Sequence, residues 1–275
     1  SGPCAAVAAK AYEERIFMLT PSASSTDVIA DKDNVYQVCF TDPAQGAASA
    51  QYIAEHGLAT KVAVLYNNGD VYSPGIYQTF EAKAAELGLE IVKVTTFTDE
   101  TTDFSVQVTE TKNAGAELVF LPIYYNEANL IIQEMDKQGY DALIFGCDGL
   151  DGLLTIEGAD LSLFEGVMLL TPFVADADDE ATQAFVTKYQ EQYGEIPNQF
   201  AADAYDGVYA ILAAIEQSGA TADMDASTLC DALKGAMTQI TVDGLTGEGM
   251  KLAATGEVNK APRAMKIQNG AYTAM

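Results

Sequence analysis

Short apolar runs alternate along the chain with longer segments of helical periodicity. The apolar runs predict strands at 35–40, 61–66, 90–97, 117–121, 142–145 and 167–170. The segments between them carry apolar residues on one face and predict helices at 44–55, 76–87, 103–113 and 126–137. Strands that alternate with helices of this length indicate an α/β fold with a mostly parallel sheet, right-handed crossovers and helices on both faces.

The last hundred residues follow a different pattern. Two long segments, 180–193 and 199–217, are expected to be helical, and acidic residues in the first turn suit the positive end of the helix dipole. After them, glycines at 244–249, 256 and 270 separate short alternating segments. That punctuation predicts antiparallel strands and hairpins.

The first 25 residues predict a helix that runs directly into a strand. The apolar run 16–19 stops at Pro21 and is followed by small hydroxyl residues. LTPSASS (19–25) is therefore expected to be the point at which a buried strand ends at a polar crevice. No charged segment followed by an apolar segment marks a signal peptide. Because a domain rarely begins inside an αβ unit, we expect the beginning of the domain to be missing.

Length and charge limit the classes of function. A chain of 275 residues is long enough for its core to split in two, so two lobes are expected. Fourteen basic residues oppose forty acidic ones, for a net charge of −26, and no cluster of Lys and Arg stands out. This excludes nucleic acid as a partner, since its binding depends on basic residues. The acidic surface is expected to serve solubility.

Cysteine and histidine usage argues against a metal centre or a catalytic triad. Cys4, Cys39, Cys147 and Cys230 show no paired spacing and are expected to be free thiols, with a Cys4–Cys39 bridge left as the alternative. His56, the only histidine, lies at a predicted helix end. No nucleophile–base pair is visible, so we expect a protein that is not an enzyme and that holds neither a metal nor a cofactor.

The candidate chemistry lies in the loops that follow the strands, because ligands of open parallel sheets bind outside the carboxyl ends of the strands. These loops are 22–25, 67–73, 122–126 and 147–152. Serine hydroxyls and loop N–H groups suit a carboxylate, whereas the carboxylate of Asp148 and a loop carbonyl suit an ammonium group. Tyr72, Tyr124 and Tyr125 add flat walls. Together these groups predict a site for a small zwitterion, an α-amino acid.

Each of these residues also has a structural interpretation. The serines could be turn formers or helix caps, and Asp148–Gly149 is a common turn dipeptide. Tyr124 and Tyr125 could pack at the sheet edge. The sequence DGLDG at 148–152 lacks the spacing of a calcium loop.

Five segments resemble successive landmarks of the leucine/isoleucine/valine-binding protein family. They are LTPSAS, CFTDPAQG, KVAVLYNNGDVYSPG, TDFSVQVTETKNAGAELVFLPIYYNEANLIIQEM and FGCDGLDG, and the resemblance runs from Ser1 to about Gly270. Members of the family are extracytoplasmic receptors of ABC importers with the type I periplasmic-binding fold. The resemblance therefore implies a small amino-acid ligand, branched-chain or otherwise apolar, and a membrane permease as partner.

The resemblance also implies two α/β lobes, each a mostly parallel sheet flanked by helices, joined by three crossovers. Lobe 1 would comprise residues 1–42 and 172–244, without the initial βαβα segment of the family. Lobe 2 would comprise residues 43–171 and 245–275.

In lobe 1 the resemblance assigns three serines to the ligand. Ser1, at a helix start, matches the residue that holds the ligand carboxylate. Ser22 matches the residue whose backbone carbonyl accepts from the ammonium group. Ser24 matches a threonine that contacts both the carboxylate and the ammonium group. Serine keeps the hydroxyl of that threonine but loses its methyl contact.

In lobe 2 the resemblance assigns two tyrosines and one acid. Tyr72 and Tyr124 match aromatic residues that close over the ligand. Asp148 matches an acidic residue, glutamate in the best-known members, that neutralises the ammonium group. Asp148 is one methylene shorter than glutamate, so the ligand would sit deeper or a water would intervene.

Three other interpretations stay open. The chain could be a sensor or regulator domain of the same fold that recognises an amide, a short peptide or an aromatic acid. It could be an enzyme with a reactive residue at a strand end. It could also be unable to bind ligand because too much of lobe 1 is missing.

Overall fold

The computed structural model describes all 275 residues and divides them into two compact units. The first unit comprises residues 1–41 and 177–261, and the second comprises residues 42–176 and 262–275. The chain therefore passes between the units three times. No helix is both long enough and apolar enough to cross a membrane.

The first unit contains six regular elements. They are α1 (Gly2–Glu13), β1 (Met18–Thr20), β2 (Val35–Gln37), α6 (Glu180–Tyr193), α7 (Gln199–Ser218) and α8 (Ala226–Met237). β1 and β2 pair in parallel, with Met18 opposite Val35 and Thr20 opposite Gln37. The predicted helix that runs into a strand at the start of the chain is confirmed. The pattern did not predict α8, a helix of twelve residues whose start is capped by Asp225, which accepts from the N–H of Thr228.

The second unit contains eleven regular elements. They are α2 (Asp42–Glu55), β3 (Lys61–Asn67), α3 (Ser73–Leu87), β4 (Glu90–Phe97), α4 (Ser105–Asn113), β5 (Leu118–Leu121), α5 (Tyr125–Lys137), β6 (Leu143–Gly146), β7 (Met168–Thr171), β8 (Arg263–Gln268) and β9 (Ala271–Ala274). The seven strands form one sheet in the order β4-β3-β5-β6-β7-β8-β9. The first five strands in this order run parallel to one another, which confirms the predicted mostly parallel sheet.

The C-terminal strands of this sheet form a tight hairpin. β8 runs antiparallel to β7, and β9 runs antiparallel to β8. Only Asn269 and Gly270 lie between the paired residues Gln268 and Ala271, and both have positive φ, 53° and 74°. A two-residue turn whose twist matches that of the strands requires this conformation. The predicted hairpin at the end of the chain is confirmed.

Alternate residues of the central strands bury on opposite faces of the sheet. In β5, Leu118 and Phe120 pack in one hydrophobic cluster with residues of α2 and α3. Val119 and Leu121 pack in another with residues of α4 and α5. Because both faces are covered, the strands are continuous apolar runs, which is why their positions could be read from the sequence.

The predicted assignment of residues 245–261 to the second lobe is wrong. Val242 bridges to Met250 and Leu252 bridges to Val258, and these side chains are buried against Tyr36, α7 and α8 in the first unit. Because these apolar side chains are buried in the first unit, the chain stays in that unit up to residue 261. Residues 172–176, expected in lobe 1, belong to the second unit, where Val174 joins the cluster around α4 and α5.

A buried polar network fastens the same segment to α7. The ammonium group of Lys260 lies 2.8 Å from a carboxylate oxygen of Asp203, and the two side chains are 0% and 2% exposed. Lys260 also donates to the hydroxyl of Thr246, 2.5 Å away. Asp206, one turn along α7, accepts from the N–H groups of Leu245 and Thr246 at 2.8 Å each. The network satisfies charges that would be costly to bury alone.

We expect Lys260→Ala to lower the free energy of unfolding of the first unit by about 3–5 kcal/mol, because it removes the cation from the buried Asp203 carboxylate. Urea denaturation followed by circular dichroism measures the effect. Lys251→Ala, at an exposed position of the same segment, is the control and should change stability by less than about 0.5 kcal/mol. Equal effects of the two substitutions would contradict the role of the ion pair.

Candidate functional site

In the first unit, the turn that follows β1 is held by its own hydroxyl groups. The Thr20 hydroxyl accepts from the N–H of Ala23 at 2.9 Å and from that of Ser22 at 3.4 Å. The Ser25 hydroxyl accepts from the N–H of Asp27 at 3.3 Å and caps the single 3₁₀ turn that follows. The predicted stop of the strand at LTPSASS is confirmed, and among its serines Ser25 is a turn former.

Gln37 of β2 fastens this turn from the neighbouring strand. Its buried amide nitrogen donates to the carbonyl of Ala23 at 2.6 Å and to that of Ser25 at 2.8 Å. Side chain and main chain are thereby joined across the parallel pair. Gln37 was not among the predicted site residues, because it lies within the apolar run VYQVCF, where its polarity was the only available signal.

Ser1 lies beside the same turn. Its carbonyl accepts from the N–H of Ala5 at 3.0 Å, which starts α1, and its hydroxyl accepts from the N–H of Ser25 at 3.2 Å. Ser24, the neighbour of Ser25, is buried, whereas Ser22 is exposed. The structure thus places Ser1, at the start of α1, against the turn that carries Ser22 and Ser24. The positive end of a helix dipole favours an anion.

In the second unit, Tyr72 is oriented by Asp70, which lies two residues before it in the loop after β3. Asp70 accepts from the N–H groups of Tyr72 and Ser73, at 2.9 Å and 2.7 Å, and its second oxygen accepts from the Ser73 hydroxyl at 3.1 Å. These bonds fix the main chain on both sides of the tyrosine. The Tyr72 side chain is 1% exposed, so its orientation is set by both backbone and packing.

Tyr124 stacks on Tyr72. Their ring centroids lie 4.6 Å apart and the ring planes differ by 17°. Tyr124 comes directly before α5, after β5, and β5 is the neighbour of β3 in the sheet, so the carboxyl ends of two parallel strands supply the pair. Tyr125 does not join them, because it packs in the cluster on the other face of the sheet.

Asp148 follows β6, the next strand, and meets the tyrosine pair. The Tyr72 hydroxyl donates to a carboxylate oxygen of Asp148 at 2.6 Å and accepts from the N–H of Gly149 at 3.0 Å. The N–H of Asp148 donates to the side-chain oxygen of Gln45 at 3.1 Å. We call Tyr72, Tyr124, Asp148 and Gln45 the carboxylate cluster. Its members come from the ends of three strands and from α2.

Burial dominates the electrostatics of this cluster. Asp148 is 4% exposed, and burial raises the pKa of its carboxyl to about 6, against hydrogen bonds from Tyr72, Gln45 and Gly149 that lower it. Burial, followed by the nearby Asp148 charge, raises the pKa of Tyr72 well above its ordinary value. The shared proton therefore stays on the phenol, and Asp148 is the anion at neutral pH.

Close contacts leave no room for a side chain at Gly149. A Cβ at this position would lie 2.5 Å from the carbonyl oxygen of Ile123 and 2.8 Å from the Tyr72 hydroxyl. Any larger residue would push the turn away from the tyrosine. The Asp148–Gly149 dipeptide is thus a structural turn, as the alternative interpretation held, and that turn presents a buried carboxylate.

The single histidine lies elsewhere. His56 is exposed just beyond α2, where a ring nitrogen lies 3.0 Å from the carbonyl of Tyr52 and the two rings stack. No group of three His, Cys, Asp or Glu side chains is arranged to hold a metal ion. None of the four cysteines forms a disulfide, so the Cys4–Cys39 bridge is not present.

The chain thus has two α/β units, one with a hydroxyl-lined turn at a helix start and one with a buried carboxylate beside stacked tyrosines. The chain belongs to the periplasmic binding protein family, whose model matches residues 1–271.

Curated relatives carry names of the same kind. A Leu/Ile/Val-binding protein homolog of Brucella melitensis is 32% identical over 217 residues, which are 77% of this chain and 56% of the relative. A leucine-, isoleucine-, valine-, threonine- and alanine-binding protein of Pseudomonas aeruginosa is 24% identical over 81% of this chain and 58% of its own length. The match thus spans less than three-fifths of these relatives.

Solved structures share the fold over the whole chain. The leucine-binding protein LivK of Thermotoga maritima has a TM-score of 0.89 at 27% identity, with 100% of this chain and 76% of that one covered. LivJ of Streptococcus pneumoniae, crystallised with isoleucine, has a TM-score of 0.87 at 27% identity and the same coverage. A solute-binding protein of R. palustris in complex with benzoate has a TM-score of 0.88 at 19% identity, covers 100% of this chain and 74% of its own, and shows the fold alone.

We expect Tyr72→Phe to raise the pKa of Asp148 above its value of about 6, because the hydroxyl that donates to the carboxylate is removed. It also leaves the N–H of Gly149 without this acceptor, at a cost of about 1–3 kcal/mol. Carbon-13 NMR of the aspartate carboxyls measures the first effect and urea denaturation the second. Tyr77→Phe, which removes a hydroxyl bonded to Glu81 on α3, should change neither quantity.

We expect the stability gained by Asp148→Asn to depend on pH. The folded-state pKa of Asp148 is raised from 3.8 to about 6. The folded state therefore favours the protonated carboxyl, whose contribution to stability is present below about pH 4 and is lost as pH rises through 6. The free energy of unfolding of Asp148→Asn relative to wild type should therefore increase by about 3 kcal/mol between pH 4 and pH 7. Denaturation at both pH values tests this, with exposed Asp141→Asn as control. A difference that stays constant with pH would contradict the buried carboxylate.

Proposed function

We propose that the chain is the ligand-binding part of an extracytoplasmic receptor of an ABC importer and that it binds a small apolar α-amino acid. The carboxylate cluster is the observation that carries the proposal, since a buried aspartate that is ionised above about pH 6 is a partner for an ammonium group. The names of relatives that bind leucine, isoleucine and valine support the same class of ligand.

In this proposal the two ends of the zwitterion are held by different groups. Asp148 neutralises the ammonium group, and the backbone carbonyl of Ser22 accepts from it. Ser1, at the start of α1, holds the carboxylate, where a hydroxyl and the helix dipole both favour an anion. Ser24 contributes its hydroxyl to both ends of the ligand.

The two tyrosines have different parts in this proposal. Tyr72 is almost fully buried and its hydroxyl is used by Asp148 and Gly149, so it supports the carboxylate. Tyr124 is half-buried, and its ring, held parallel to that of Tyr72, is the surface offered to an apolar side chain.

The shorter side chain of aspartate suits this arrangement. Asp148 is bonded to Tyr72 at 2.6 Å and to Gln45 through its N–H, so its carboxylate stays at the strand end. The ligand ammonium group would approach to that depth or bind through one ordered water.

The proposed partner is the membrane permease of an ABC importer, and the proposed location is outside the cytoplasmic membrane. Membership of the periplasmic binding protein family supports both proposals.

Isothermal titration calorimetry of the chain, stripped of ligand by unfolding and refolding, against the twenty amino acids tests the proposal. We expect leucine, isoleucine or valine to bind with a micromolar Kd, about −8 kcal/mol. Asp148→Asn should weaken this binding at least tenfold, because the charge opposite the ammonium group is lost.

Asp141→Asn, at an exposed position, is the matched control and should leave the affinity unchanged. If no amino acid binds tighter than about millimolar, the amino-acid assignment fails. Binding of benzoate or of a short peptide in place of amino acids would favour a sensor domain of the same fold.

A further inference from the structure

Gln45 is a fully buried polar residue that makes none of the proposed ligand contacts. It lies in the first turns of α2, on a face of the helix that also buries Asp42, Gly46 and Ser49. This face meets the turn after β6: Gln45 accepts from the N–H of Asp148, and the Ser49 hydroxyl lies 3.5 Å from the sulfur of Cys147. A polar helix face therefore covers the segment that carries the acid.

Gln45 acts on both the main chain and the side chain of Asp148. Its amide oxygen accepts a hydrogen bond from the N–H of Asp148 at 3.1 Å. Its side chain is also a hydrogen-bond partner of the Asp148 carboxyl and lowers the pKa of that group. An amide has an acceptor at one atom and donors at the other, so it can hold both groups of one residue. A buried amide without such partners would be costly.

The helix that carries Gln45 is locked to the helix that follows Tyr72. A Cβ on Gly46 would lie 2.1 Å from the carbonyl oxygen of Ile76 and 2.2 Å from the Thr79 hydroxyl, so α2 and α3 meet backbone to backbone at this glycine. Gln45 immediately precedes the contact, and Tyr72 immediately precedes α3. The two side chains that bond Asp148 therefore come from one rigid pair of helices.

We propose that Gln45 is the positioning residue of the carboxylate cluster, holding Asp148 in the rotamer that faces a cationic ligand group. The inference rests on the proposed function and adds to it a residue that acts through Asp148. Tyr72 holds the carboxylate from the start of α3 and Gln45 holds it from α2.

The ionisable groups of the second unit that surround Asp148 are few. Tyr72 precedes α3, Cys147 precedes Asp148 itself, and Asp42 begins α2. Burial raises the pKa of both Tyr72 and Cys147, so both keep their protons at neutral pH. Asp42 is the other acidic side chain in this group, and its charge acts on Tyr72 and Cys147. A neutral amide donor favours the ionised form of Asp148 without adding a charge to the group.

The test compares Gln45→Met, which keeps the length of the side chain and removes both hydrogen bonds, with Ser49→Ala, which lies on the same face and contacts Cys147. Leucine affinity is measured by calorimetry from about pH 5 to pH 8, and the Asp148 carboxyl is titrated by carbon-13 NMR in the ligand-free chain. We expect Gln45→Met to weaken leucine binding about tenfold and to move the midpoint of both pH profiles upward. Ser49→Ala should leave both profiles in place.

A double-mutant cycle with Asp148→Asn separates positioning from general packing. If Gln45 acts through Asp148, Gln45→Met should have less than a twofold effect on affinity in the Asp148→Asn background. A tenfold loss in both backgrounds, or an Asp148 titration unchanged by Gln45→Met, would overturn the inference. Gln45→Asn, which withdraws the amide by one methylene, is the second variant and should move the profiles in the same direction.

The two proposals fail in different ways. If wild type binds no amino acid, the proposed function is wrong, yet the NMR titration of ligand-free protein still shows whether Gln45 holds Asp148. If wild type binds leucine and the titration is unchanged in both Gln45 variants, only the role of Gln45 is wrong.

Discussion

The second unit depends on how one buried carboxylate is accommodated. Asp148 lies at the end of a central strand, almost without solvent, and its negative charge there would be costly without partners. The Tyr72 hydroxyl at 2.6 Å, the amide of Gln45 and the glycine that follows Asp148 provide these partners. Two of these partners need support of their own. The main chain at Tyr72 is held by Asp70, and Gln45 depends on the close approach of α2 and α3. The local architecture follows from these requirements.

The first unit holds its turn after β1 with neutral groups. Its turn after β1 carries no buried charge and is held by hydroxyls and by the amide of Gln37, all neutral. Neutral donors beside the start of α1 present partial positive charge, which suits an anion. The buried charges of this unit are placed elsewhere, in the Lys260–Asp203 pair. Because that pair is compensated within the protein, it serves stability, whereas the carboxylate cluster holds its acid with neutral hydrogen-bond partners.

Much of the second unit's architecture could be predicted from sequence. Its strands are buried on both faces, so they appear as unbroken apolar runs, and its helices carry one apolar face each. The strand-end residues Tyr72, Tyr124 and Asp148 could be found because parallel strands carry their carboxyl ends to one edge. The boundary near residue 261 could not be found, because the bridges of Val242 and Leu252 pair residues through contacts that no local pattern encodes.

What the sequence by itself determined was the class of fold, the strand ends where polar groups gather and the chemical types found there. Periodicity and residue type are local properties, and these features depend on little else. The tertiary structure alone decided which polar side chains support the others. Gln45 lies a hundred residues before Asp148 and Gln37 lies inside an apolar strand, so neither could be recognised by spacing. Their roles arise from the packing of α2 on α3 and the pairing of β1 with β2, which bring distant amides to buried groups that need partners.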